Sequence, residues 1–126
     1  TSKPQGYLSV DQGGDQIVLD FKDGRALVGM HSITDLDVGN GKTKITIKAN
    51  GNVGVGIDQP TQALEVNGNI KYKGKTITSG INTPTEGNWQ QGDICYNDNA
   101  QVGSYVGWIC VRGGNPGTWS KFGLIG

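Results

Sequence analysis

Five tryptophan and tyrosine side chains and a run of polar ones crowd the last third of this 126-residue chain. Trp89, Tyr96, Tyr105, Trp108 and Trp119 offer ring faces, and Asn97, Asp98, Asn99, Gln101 and Arg112 offer hydrogen-bonding groups near the same hairpin. A sugar presents C–H faces that pack on aromatic rings and hydroxyls that pair with amides, carboxylates and guanidinium groups. These residue types fit binding of a carbohydrate or cell-wall polymer. Trp108 and Trp119 sit inside strand-like runs, where a ring more often fills a core. Trp89, beside Gln90 and Gln91, and Tyr105, at a strand start, are better placed for exposure. The expected ligand-binding set is Trp89, Tyr96, Asn97, Asp98, Asn99, Gln101, Tyr105 and Arg112.

Catalytic chemistry has little to work with. The one histidine, His31, follows Met30 and precedes Ser32. A Ser-His-Asp set with Asp35 or Asp37 needs a geometry that nothing in the sequence imposes. Asp11, Asp15, Asp20 and Asp23 are close in sequence, but their spacing suits turns better than a carboxylate pair across a groove. Asp35, Asp37 and Asn40 form a D-x-D-x-x-N run of oxygen ligands without the spacing or closing glutamate of an EF-hand. A turn rich in Asx side chains is its expected role. The glycine-rich segments open no helix, so a phosphate cradle is unsupported. Cys95 and Cys110 lack metal-ligand spacing. A hairpin symmetric about its loop would set them opposite each other, as a pair of small buried thiols or as a bridge. A reducing cytosol would keep them as thiols. No enzyme activity, metal or cofactor is expected.

Composition limits what can position these side chains. Glycine supplies 22 residues, about two and a half times its usual share of roughly 7%. Leu, Ile, Val and Phe total 29, only just above the roughly 20% below which disorder prevails. Such a chain folds around a thin core, and association between copies would repair the deficit. The 11 basic and 11 acidic residues balance, with no block of like charge. That argues against nucleic acid as partner. No apolar run approaches the ~20 residues of a membrane-crossing helix, so no membrane insertion is expected.

Strand signals dominate and helical periodicity is nearly absent. Residues 7–10 make a short strand. Residues 17–21 and 26–30 flank Asp23-Gly24, a hairpin signal. Residues 43–49 alternate, with Ile45, Ile47 and Ala49 on a face expected to be buried and Lys44, Thr46 and Lys48 on a wet one. Turns follow at Asn40-Gly41, Asn50-Gly51 and Asn67-Gly68, in the rhythm of a meander or β-prism. Residues 70–72 and 75–77 continue around Gly74. The stretch 79–88 reads as a linker, and all three tryptophans follow it. The expected boundaries are 1–78 for a β shaft and 79–126 for a small antiparallel β tip.

Gly51-Asn52-Val53-Gly54-Val55-Gly56-Ile57, then Pro60, then Leu64-Glu65-Val66-Asn67-Gly68-Asn69, resembles a phrase of phage tail-fibre and tailspike proteins. The last third resembles a second, more specific phrase. It runs Gly92-Asp93-Ile94-Cys95-Tyr96-Asn97, residues 103–111, Gly114-Asn115-Pro116-Gly117-Thr118-Trp119 and Phe122-Gly123-Leu124-Ile125. Together the two cover about half of the chain. The resemblance implies an all-β homotrimeric fibre, with a β-prism or triple β-helix-like shaft and a C-terminal tip. It implies a virion location, assembly in the host cytoplasm and attachment to the host surface, with glycan as partner. In that trimer Ile45, Ile47, Val53, Val55, Ile57, Leu64 and Val66 would face the axis. The alternatives are a fragment of a polysaccharide depolymerase tailspike, a purely structural trimerisation cap, and a bacterial adhesin of the same build.

Overall fold

The structure, a computed structural model, describes residues 11–12, 15–22, 25–30, 35–39 and 43–126. The expected strand at 7–10, the turns Asp23-Gly24 and Asn40-Gly41, and His31 and Ser32 lie outside the described residues. The protein is all-β, and among the described residues there is no helix. Two compact units divide it, residues 1–67 and 68–126.

The first unit contains two sheets. Strands β1 (Asp11–Gln12), β2 (Asp15–Lys22) and β3 (Arg25–Met30) form an antiparallel sheet in chain order. Lys22 pairs with Arg25 at the end of the antiparallel β2–β3 ladder. Strands β4 (Leu36–Gly39), β5 (Thr43–Ile47), β6 (Val53–Val55) and β7 (Leu64–Val66) form the second sheet, also in chain order. The first two connections give antiparallel pairs. Gly51 takes φ +92° in the turn after β5, and the Asn50 side chain accepts the Asn52 N–H there. Asn-Gly chemistry thus acts as anticipated at this position. The last pair, β6 with β7, is parallel, so residues 56–63 must cross back over one face.

Register fixes the two faces of this sheet. Leu36, Ile47, Val53 and Leu64 lie in one cross-strand row, and Val38, Ile45, Val55 and Val66 in another on the same face. The other face carries the row Thr46, Gly54 and Glu65. Sequence alternation assigned burial to Ile45 and Ile47 and solvent to Thr46. Within one chain the order is reversed: Thr46 is 1% exposed, whereas Ile45 and Ile47 are each 40% exposed. The crossover explains this, because Gly54 is buried beneath Ile57. Ile57 therefore sits on the crossover side and not with the aliphatic rows.

The second unit is one five-stranded mixed sheet of spatial order β12-β11-β10-β9-β8. Its strands are β8 (Ile70–Tyr72), β9 (Lys75–Gly80), β10 (Ile94–Asn97), β11 (Tyr105–Arg112) and β12 (Thr118–Leu124). Lys73 (φ +47°) and Gly74 (φ +79°) join β8 to β9, both residues having the positive φ of a type I′ hairpin turn. Strands β9 and β10 are parallel, and residues 81–93 cross between them. This corrects two expectations. The tip sheet is mixed and not antiparallel, and the stretch 79–88 connects two strands of one sheet. Residues 70–78 pair with the C-terminal strands because their apolar side chains extend that sheet, so the unit begins at Gly68. Asn67-Gly68 is correspondingly no hairpin turn: β7 and β8 belong to different sheets.

One face of this sheet also gathers aliphatic side chains. Ile70, Ile77, Ile94 and Ile109 lie in a single row across four strands. Alternation adds Tyr72, Tyr96 and Phe122 to that side. Asp93, Cys95, Trp108, Cys110, Trp119 and Lys121 alternate onto the other.

Candidate functional site

The crossover 81–93 shapes the chemistry of the second unit. A connection this long needs anchors, and its polar groups supply them. The buried Asp93 carboxylate accepts the backbone N–H groups of Thr76 (2.8 Å) and Gln90 (2.7 Å). The Lys75 ammonium donates to the Gln91 carbonyl. Trp89 exchanges two backbone hydrogen bonds with Gly114, at 2.9 and 3.0 Å. Its indole N–H donates to the Glu86 carbonyl, and its ring meets Trp119 edge to face at a centroid distance of 5.4 Å. The Trp119 N–H is satisfied by the Pro116 carbonyl. These two rings therefore clamp the crossover to the β11–β12 turn.

Two concavities flank the crossover. One, of about 340 Å³, is lined by Ile81, Asn82, Thr83, Asn97, Asn99, Gln101, Ser104, Tyr105, Trp108 and Lys121. The other, of about 430 Å³, is lined by Thr78, Ser79, Ile81–Thr83, Pro84, Thr85, Glu86, Trp89 and Cys95. Both volumes fall in the roughly 300–1,000 Å³ of small-molecule pockets.

Of the residues expected to bind ligand, Asn97, Asn99, Gln101 and Tyr105 come together in the first pocket, and Trp89 lines the second. The Asn97 amide donates to the Ser104 hydroxyl and the Tyr105 carbonyl, and its oxygen accepts the Asn99 N–H. It organises the loop. Tyr105 is half-buried, with the Lys121 ammonium 5.0 Å from its ring centroid. Tyr96 alternates to the opposite, apolar face and is exposed there. Asp98 and Arg112 are exposed and line neither pocket.

Sequence reasoning missed Asn82, Thr83, Ser104 and Lys121. For Lys121 a signal existed: the hairpin closed by residues 113–117 sets it opposite Trp108. Trp108, assigned to the core, is half-buried and lines the first pocket.

Cys95 and Cys110 are buried free thiols. Cys95 pairs with Trp108, while the Cys110 N–H donates to the Asp93 carbonyl and the Cys110 carbonyl accepts the Gly92 N–H, so the two cysteines are diagonal and not opposed. Burial, then the nearby charge of Asp98, raises the Cys95 thiol pKa above its ordinary value. In the first unit, the Asp35 carboxylate accepts from the Lys48 ammonium and the Ala49 N–H, which lower its pKa. Asp35 thus caps the strand end beside it, and Asn40 of the suggested ion-binding run lies outside the described residues. Among the described residues no group of three or more His, Cys, Asp or Glu side chains is placed to hold a metal. None of the described residues forms a helix long and apolar enough to cross a membrane.

No family model matches this chain, and no curated protein or solved structure is similar to it.

Proposed function

We propose that the chain is the distal part of a viral tail fibre or tailspike: a homotrimer whose C-terminal unit contacts host-surface glycan. One observation carries this reading. Among the described residues, the buried hydrophobic side chains are Cys95 and Cys110, while aliphatic residues of both sheets stay exposed. Leu64 is 63% exposed, Val38 52%, Ile70 45% and Leu124 70%. Self-sufficient monomers rarely leave contiguous apolar faces of this kind uncovered. Covering each half-exposed Ile, Leu or Val contributes on the order of 1 kcal/mol. Three copies around an axis supply that cover, and they also occupy strand edges that would otherwise recruit stray chains.

In this reading the first unit transmits and presents, and the second makes the contact. The protein acts by binding, without covalent chemistry or a cofactor, on a virion assembled in the host cytoplasm. The polar pocket that gathers Asn97, Asn99, Gln101 and Tyr105 supports glycan as the ligand.

Sedimentation equilibrium tests the assembly. The expected particle contains three 13.3 kDa chains, and a cooperatively melting single chain overturns the reading. Host-cell binding tests the tip. Tyr105→Ala is expected to weaken it at least several-fold while leaving the trimer intact. The clamp between Trp89 and Trp119 favours a second reading, a purely structural cap. On that reading Tyr105→Ala leaves host binding unchanged, and deletion of residues 89–126 dissolves the trimer.

A further inference from the structure

We propose that the groove beside Lys121 seats the anionic group of an acidic oligosaccharide, whose next sugars run over Ile81–Thr83 toward Trp89. This rests on the reading of the second unit as a glycan-binding tip and specifies the glycan. The two concavities share Ile81, Asn82 and Thr83, so they adjoin along this segment, and we treat them as two lobes of one groove.

The lobes differ in charge. The lining of the first contains a single ionic side chain, Lys121, and no carboxylate. That ammonium forms no ion pair among the described residues; it stands 5.0 Å from the Tyr105 ring centroid. The ring holds the cation in place but satisfies none of its three N–H donors. A carboxylate or phosphate oxygen can take them in charge-assisted bonds, roughly twice as strong as neutral ones. Asn82, Asn99 and Gln101 line the same lobe with amides suited to sugar hydroxyls. The second lobe contains Glu86 and the half-buried Trp89. A carboxylate there disfavours a second anion, while the ring offers a face for a neutral sugar. The groove therefore has a direction: anion at Lys121, uncharged unit at Trp89.

A uronic acid and a phosphate ester share the chemistry that Lys121 recognises. Calorimetric titration of the full chain separates them, with a hexuronate oligosaccharide, a phosphodiester-linked glycan and a neutral oligosaccharide of equal length as probes. At least one acidic probe is expected to bind, and the neutral one to bind at least tenfold more weakly. Lys121→Gln is expected to weaken the acidic probe by ~10-fold or more, as for loss of a bond to a charged group. It should also flatten the salt dependence of binding. Lys121→Arg should restore most of the affinity. Lys73→Gln, in the β8–β9 turn outside the groove, should change nothing. Melting curves confirm that each variant folds, and Lys121→Met replaces any that does not. Equal binding of neutral and acidic probes, or full affinity in Lys121→Gln, overturns the proposal and leaves a glycan-binding tip standing. Failure of every oligosaccharide to bind overturns both.

Discussion

In the first unit the connection from β6 to β7 spans residues 56–63, lies over Gly54, and is tied at Asn52 by a side-chain bond to the Pro60 carbonyl. In the second, the connection from β9 to β10 spans residues 81–93 and carries Trp89, Glu86 and the buried Asp93. Both crossovers cover one face of a mixed sheet and leave an aliphatic face open. The short one does only that. The long one is anchored well enough to hold concave, polar surface beside it, and the proposed ligand site lies there. The open faces differ as well. Every register position in the two rows of the β4–β7 sheet is aliphatic, whereas Lys75, Ser79, Gly107 and Ser120 interrupt those of the β8–β12 sheet.

The largest expected effect probes those open faces. Ile45→Asp and Ile94→Asp each place a carboxylate on an aliphatic row, and burying it between chains costs several kcal/mol. If the protein is the proposed trimer, sedimentation should detect its loss in both, with Ile45→Asp the more severe because both rows of its face are aliphatic. Equal or reversed severity would break the contrast between the sheets.

Gly54→Ala and Gly107→Ala come next, one for each unit. In both, an added Cβ would stand 2.3 Å from a backbone carbonyl oxygen, that of Ile57 or of Cys95. Overpacking of this kind costs ~1–3 kcal/mol, read as a lower melting temperature. Gly51→Ala has open space but φ +92°, so its smaller cost reports backbone strain alone. Asp93→Ala tests the anchoring of the long crossover. It strands the Thr76 and Gln90 N–H groups, at about 1–3 kcal/mol, and should speed hydrogen exchange at both amides.

Smaller effects follow from ionisation. Native Cys95 should react with iodoacetamide more slowly than a free thiol at pH 8, because burial holds it protonated and out of reach. Asp35 has a depressed folded pKa, so its stabilisation is present above the ordinary value of 3.8 and is lost as pH falls through the folded value. Asp35→Asn should therefore melt slightly lower than wild type at pH 7, with the two curves converging in acid.

Much of the fold was legible in local pattern. The pairing of β2 with β3, the β8–β9 pair around Gly74 and the all-β character of the described residues follow from local strand and turn signals. Parallel pairing was not legible, because a crossover leaves no turn signature at its ends. Missing it turned the connection 81–93 into a linker and hid Lys121's partners. The Cys95–Cys110 register failed for a related reason. Symmetry about a loop ignores how many loop residues are left unpaired, and a shift of two places Trp108 opposite Cys95. The candidate site was half legible: Asn97, Asn99, Gln101 and Tyr105 cluster in sequence, whereas Asn82 and Lys121 meet them only through tertiary pairing. The inverted burial of Thr46 and Ile45 shows that alternation assigns residues to faces without saying which face is covered by the same chain.

That inverted strand has a consequence for how the protein behaves on dilution. When partner copies complete the folded state, mass action ties the melting point to protein concentration. Tenfold more chain should melt measurably hotter, and a very dilute sample should lose its structure at temperatures where a concentrated one survives.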